Sequence, residues 1–174
     1  MIPNINTILF STDLSQKSRY AFNYAVSIAH RYGAKLTLLY VMEEVSHSPD
    51  VRLKDFIGEE RWQEIKGGQE EEARQILIGK KREGATIRQA LGEFCEQIQA
   101  ESKIDFKTDQ ILVVRGNVVD EILSEAQRIG CDLIVMGYHV RGKLEEAVLG
   151  STTRRVLRRS KTPVMLVQLV EEEG

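Results

Sequence analysis

The chain has 174 residues, 42% of them hydrophobic and 29% charged, with a formal net charge of −2 and an isoelectric point near 6.0. That balance forces no basic face and gives no ground for a nucleic-acid partner. No run of about 18 apolar residues is present, so no membrane span is expected.

Met1-Ile2-Pro3-Asn4 lacks the basic and then apolar pattern of a secretory leader. Cys95 and Cys131 have no metal-like spacing and read as reduced thiols of a cytoplasmic protein. The length fits one domain, 1–170, followed by an acidic tail, 171–174.

Ile5 to Phe10 is a short apolar run bounded by turn residues, hence a buried strand. Ser11-Thr12-Asp13-Leu14-Ser15 is the turn after it, with Ser15 the expected helix N-cap. Ala21, Tyr24, Ala25, Ile28, Ala29 and Tyr32 then follow the spacing of one helix face. Gly33 ends that helix, and Lys35 to Val41 is the second strand.

Residues 43–104 read as an extended connection and an interrupted helix. Trp62 is expected there as a packing anchor. A break is expected between Gly79 and Gly84, before the apolar stripe of Leu91, Phe94, Cys95 and Ile98. Phe106 to Val114 is the third strand. Val119, Ile122, Leu123 and Ala126 mark the next helix, closed by Gly130.

Leu133 to Gly137 is the fourth strand. A long loop follows from Tyr138 to Gly150, with a short helical turn expected at Leu144 to Leu149. Ser151 to Arg159 is a short helix carrying four arginines, read as a solvated face. Pro163 to Leu169 is the fifth strand. Strands alternating with helices predict an α/β fold, a doubly wound five-stranded parallel sheet with helices on both faces. The expected strand order is 3-2-1-4-5.

In such a sheet ligands bind beyond the C-terminal strand ends where the order reverses. The turn from Ser11 to Ser15, the end of strand two at Val41-Met42 and the loop opened by Gly137 would line that crevice. Gly150 allows close backbone approach. Ser151 and Thr152 open a helix whose free amides and positive dipole end suit an anion. Arg141 and Lys143 could add positive charge, and His139 lies in the same loop.

These residues resemble the universal stress protein family over nearly the whole chain. The resemblance rests on Ile8-Leu9-Phe10-Ser11-Thr12-Asp13, on Leu39-Tyr40-Val41, and on Val135-Met136-Gly137, Gly150-Ser151 and Pro163 to Val167. The nucleotide-binding branch carries Gly, two residues, Gly, nine residues, then Gly and Ser or Thr. Gly137, Gly150 and Ser151 match; Val140 replaces the second glycine. A valine forced to positive φ costs about 1–2 kcal/mol, or about tenfold in affinity. A loop rewound so that Gly142 takes that duty escapes this cost.

The resemblance implies ATP or AMP as ligand, bound by Ser11, Thr12, Asp13, Val41, Met136, Gly137, His139, Val140, Gly142, Gly150, Ser151 and Thr152. Asp13 would face the nucleotide or its Mg²⁺, Val41 the adenine, Gly137 the ribose, and Gly150, Ser151 and Thr152 the phosphates. It also implies a homodimer through the last strand.

The expected function is a nucleotide-binding stress-response regulator with at most weak ATP hydrolysis. No Walker motif and no candidate general base point to efficient chemistry. The alternative is an interaction or scaffold protein of the same fold that has lost the nucleotide. A receiver domain is disfavoured, because strand three ends Val113-Val114-Arg115-Gly116 without an aspartate.

Overall fold

The computed structural model describes residues 2–15, 17–43, 70–141 and 148–169, with the backbone alone for 70–83, 140–141 and 148. Five strands form one parallel sheet: β1 (Thr7–Thr12), β2 (Lys35–Glu43), β3 (Lys107–Gly116), β4 (Leu133–Tyr138) and β7 (Val164–Gln168). Their spatial order is β3-β2-β1-β4-β7, the order 3-2-1-4-5 expected from the sequence. A two-stranded antiparallel ribbon, β5 (Val140–Arg141) and β6 (Val148–Leu149), stands outside the sheet.

The strands are apolar on both faces because helices cover both. On one side α1 (Ser18–Tyr32) and α2 (Glu70–Ser102) pack over Ile8, Phe10, Leu36 and Leu38. Phe22 of α1 is fully buried there, with ring centroids 5.3 Å from Phe10, 5.1 Å from Phe94 and 6.1 Å from Phe106. On the other side α3 (Val118–Arg128) and α4 (Ser151–Arg159) cover Leu9, Leu39, Val41 and Ile134.

Local chemistry sets the helix ends. Gly33 stops α1 at φ 64°, a left-handed conformation that glycine adopts without strain. Asn117 caps α3, its side chain accepting the N–H groups of Val119 and Asp120. The N-cap of α1 is Lys17, two residues after the expected Ser15. Ser15 nonetheless serves the first turn, because its hydroxyl accepts the Ser18 N–H at 3.2 Å.

The expected break near Gly79 and Gly84 is absent: α2 runs unbroken from Glu70 to Ser102. A helical glycine costs about 1 kcal/mol against alanine, which tertiary packing can override. Gly84 is buried where α2 meets the sheet, and a Cβ there would lie 3.5 Å from the Met42 methyl and 3.8 Å from Val113. Of the expected turn at Leu144 to Leu149, Val148 and Leu149 form β6 instead. The rest of that turn, like Trp62, lies outside the described residues.

The two borders of the sheet differ. Between β2 and β3 the register slips, with Leu36 opposite Thr108 and Thr37 opposite Gln110, so Asp109 is an extra residue and β3 is bulged. Asp109 pairs with Lys35 at 3.8 Å. Beside the bulge, Thr37 is fully buried and its Oγ1 has no hydrogen-bond partner, a deficit of about 1–3 kcal/mol. The β4–β7 ladder runs from Ile134↔Val164 to Tyr138↔Gln168 with no slip.

Both cysteines are buried and free. Burial pushes both thiols up, Cys131 to about 11, so neither is a thiolate at neutral pH. No helix among the described residues is long and apolar enough to cross a membrane.

Candidate functional site

Parallel strands that diverge from β1 leave a crevice at their C-terminal ends. β1 is flanked by β2 and β4, and a cavity of about 540 Å³ opens there. That volume falls within the range of small-molecule sites, about 300–1,000 Å³. Ser11, Thr12 and Asp13 line it from β1 and its turn, and Val41 from β2. Met136, Gly137 and His139 line it from the end of β4, and Gly150, Ser151 and Thr152 from the start of α4.

The β1 turn is built by a chain of hydroxyls. Ser18 Oγ donates to the Ser15 carbonyl at 2.9 Å. Its single proton is then committed, so in the 2.9 Å contact with Thr12 the threonine hydroxyl donates. Thr12 Oγ1 in turn accepts the Leu14 N–H at 3.0 Å. This bond holds Leu14 at φ 61°, an unusual conformation for a large side chain. The result is a stiff turn that presents Asp13.

Asp13 spans the mouth of the crevice. Its Oδ1 accepts the Ser15 N–H at 2.9 Å. Its Oδ2 lies 3.4 Å from Nε2 of His139, which joins the β1 turn to the β4 loop. Partial burial pushes the carboxyl upward, yet the Ser15 hydrogen bonds and the His139 imidazole together outweigh it, leaving the pKa below the usual 3.8. Asp13 is therefore a carboxylate at neutral pH, a hard oxygen group available to a cation or a hydroxyl.

Across the cavity, α4 begins without a side-chain cap, because Gly150 is its N-cap and has none to offer. No acidic residue stands in its first turn. A Cβ on Gly150 would meet no described atom within 4 Å, so this corner is open. Uncapped amides at the positive end of a helix dipole attract anions.

The position of Val140 matters less than its sequence suggests. It lies in β5, paired with Leu149 of β6, which zips the loop entry to the loop exit just before Gly150. Its backbone is strand-like, and the described residues with positive φ other than glycine are Leu14 and Lys103. The strain expected of a left-handed valine does not arise. The Val140 side chain, Gly142 and Lys143 lie outside the description, and so does the side chain of Arg141.

Gly137 is explained by a neighbour. A Cβ there would lie 2.7 Å from Cδ2 and 2.8 Å from Cδ1 of Leu169. The close approach at this glycine is thus made by the residue after β7.

A model of the universal stress protein family matches residues 4–168. The chain belongs to that family. Universal stress protein MJ0577 of Methanocaldococcus jannaschii is 27% identical over 174 aligned residues, covering 92% of this chain and 93% of that protein. Universal stress protein YxiE of Bacillus subtilis is 28% identical over 164 aligned residues, covering 94% and 99%. The solved structure of MJ0577 superposes with a TM-score of 0.58 at 25% identity, covering 98% of this chain and all of that one. A universal stress protein solved in complex with cAMP shares the fold, with a TM-score of 0.59 at 21% identity over 97% of this chain and all of that one.

In this universal stress protein the cavity also holds residues that sequence reasoning missed. Glu43 and Tyr40 line it from β2, Val118 and Ile122 from α3, and Ser18 from α1. Glu43 follows Val41 by two, so both share a strand face. Val118 and Ile122 share a helix face by their i, i+4 spacing. Those periodicities carried the signal, but only the placement of α3 over β2 and β3 turned it toward the crevice. Among the described lining residues, the groups that carry or can take charge are Asp13, Glu43 and His139. No three metal-binding side chains cluster among the described residues.

Proposed function

We propose that this protein binds an adenine nucleotide, ATP or AMP, in the crevice and acts in the stress response as a cytoplasmic regulator rather than as an enzyme. One observation carries the reading: the Asp13 turn and the uncapped start of α4 at Gly150-Ser151 share a single cavity. Val41, Val118, Ile122 and Met136 give it an apolar wall suited to a purine. Gly150, Ser151 and Thr152 suit phosphates. The same fold holds cAMP in one structural neighbour.

Mg²⁺ fits this arrangement only as a companion of the phosphates. Asp13 offers a carboxylate oxygen whose neighbour is an imidazole at 3.4 Å, and phosphate and water would complete the shell. Bound there, the ion would neutralise charge between Asp13 and the ligand.

Calorimetric titration with ATP and AMP, with and without Mg²⁺, tests the reading. Gly150→Asp is expected to weaken binding at least about tenfold, a change of about 1.4 kcal/mol, by placing a carboxylate at the anion end. Thermal stability should not fall, since the space beyond Gly150 is open and aspartate is a favourable N-cap. No heat at millimolar nucleotide would sink the proposal. It would favour an interaction protein that binds no nucleotide, a reading that draws on Leu169 filling the space beside Gly137.

The proposed partner is a second copy, paired through the last strand, Pro163 to Leu169. Among the described residues β7 and β3 are the sheet edges. β3 is blunted by its bulge and charges, whereas β7 is regular and apolar through Val164, Met165, Leu166 and Val167. Sedimentation at tens of micromolar should show a dimer, and Leu166→Pro should give a monomer by clashing with the pairing. A monomeric wild type would refute the assembly.

A further inference from the structure

Three consecutive carboxylates, Glu171, Glu172 and Glu173, follow the last strand in sequence. Residues 170–174 lie outside the described residues, but their point of departure does not. Leu169 is fixed at the C-terminal end of the sheet, its N–H donating to the Tyr138 carbonyl at 2.9 Å. Glu171 therefore stands within about 7 Å of chain from that end.

A cationic corner stands at the other end of the same strand. Arg158 and Arg159 occupy the last turn of α4, and Lys161 follows in the turn that leads to Pro163. Arg159 already has a carboxylate, Asp120 at 2.7 Å. Arg158 and Lys161 are exposed and meet no carboxylate among the described residues. The turn that carries Lys161 is stiff. Ser160 Oγ donates to the Thr162 carbonyl at 2.6 Å and accepts the Thr162 N–H at 3.1 Å. The Ser160 N–H closes α4 on the Val156 carbonyl at 2.8 Å.

Within one copy the strand holds these opposite charges apart. The stretch from Val164 to Leu169 alone spans about 17 Å, and Lys161 lies beyond Val164. A second copy removes the separation. Two β7 strands related by a two-fold axis at the sheet edge run antiparallel. Centred on Leu166, the middle of β7, the pairing brings Glu171 level with Lys161 of the second copy. Glu172 and Glu173 then continue toward its Arg158. A slip of one residue either way still leaves a glutamate at the corner.

We propose that the acidic tail of each copy crosses to the cationic corner of the other, where Glu171, Glu172 and Glu173 meet Lys161 and Arg158. The inference rests on the paired assembly proposed above and names the segment that completes it. The two-fold axis makes the contact twice, once at each end of the paired strands. Exposed ion pairs are individually weak and screened by salt, so the clasp adds to the pairing of β7 rather than replacing it.

The test measures dimer dissociation by sedimentation for the full chain, for a tail reversal, E171K/E172K/E173K, and for a corner reversal, R158E/K161E. Each reversal alone should weaken the dimer at least about tenfold at low salt, since attraction becomes repulsion at both junctions. The wild-type dimer should loosen as salt rises, and E171Q/E172Q/E173Q should lose most of that dependence. Mixing the two reversed variants, one of them dye-labelled, should restore the wild-type affinity within about threefold, because both junctions of the mixed pair then join opposite charges. Reversals that leave the dimer as tight as the wild type would overturn this inference alone. Weakening without rescue on mixing would also overturn it, by placing the contact within one copy or in the fold itself. A monomeric wild type at tens of micromolar would overturn the assembly and this inference together.

Discussion

Phe22→Ala is expected to destabilise the fold by about 3–5 kcal/mol, the largest effect of any substitution considered for this chain. Phe22 is fully buried, and its ring meets Phe10 of β1, Phe94 of α2 and Phe106 just before β3. Truncation removes three aromatic contacts at once, each worth about 0.5–1.5 kcal/mol beyond burial. It also leaves a void between elements far apart in sequence, which cannot collapse without moving a helix. Against a domain stability of about 5–15 kcal/mol, that is a large fraction. Urea unfolding followed by circular dichroism measures it. A loss below about 1 kcal/mol would show that the cluster is not a keystone of this core. Phe22→Leu should recover much of the loss by refilling the volume.

Gly137→Ala is expected to cost about 1–3 kcal/mol through overpacking. The added methyl would sit within 2.9 Å of three Leu169 carbons, and Leu169 is buried, 6% exposed. Its main-chain N–H is tied to the Tyr138 carbonyl at 2.9 Å, so the side chain must turn while the backbone stays. Leu169 also lines the cavity, and a turned side chain would alter the ligand's space. A double-mutant cycle isolates the cause. In a Leu169→Ala background the same glycine substitution should cost less than about 0.5 kcal/mol. Equal costs in both backgrounds would mean that the contact with Leu169 is not what requires glycine.

Much of the architecture was legible because the sheet is buried on both faces. Its strands are continuous apolar runs, and most of the helices between them show a 3.6 period, so the parallel, doubly wound class followed from general rules. Boundaries were less legible where strands reach the crevice. Ser11 and Thr12 read as turn residues, yet they continue β1 in register with Leu39 and Tyr40. The polarity that suggested a turn is the chemistry of the cavity wall. Gly79 and Gly84 misled for the opposite reason, since a local propensity near 1 kcal/mol yields to the packing of a long helix on the sheet.

The site divided in the same way. Asp13, Gly150 and Ser151 were found because turn and helix-start chemistry is local. Glu43, Ile122 and Leu169 were missed because their roles depend on which element passes over which. Gly137 was expected to approach a ribose; the neighbour it has in the fold is Leu169, a leucine from after the last strand.

The extra residue at Asp109 bears on how far copies of this protein can accumulate onto one another. Joining through β7 about a two-fold axis would leave kinked, charged rims on both flanks of the doubled sheet. Growth would then halt after a single step. Such a pairing would carry a built-in ceiling on polymerisation, set by one inserted aspartate rather than by concentration.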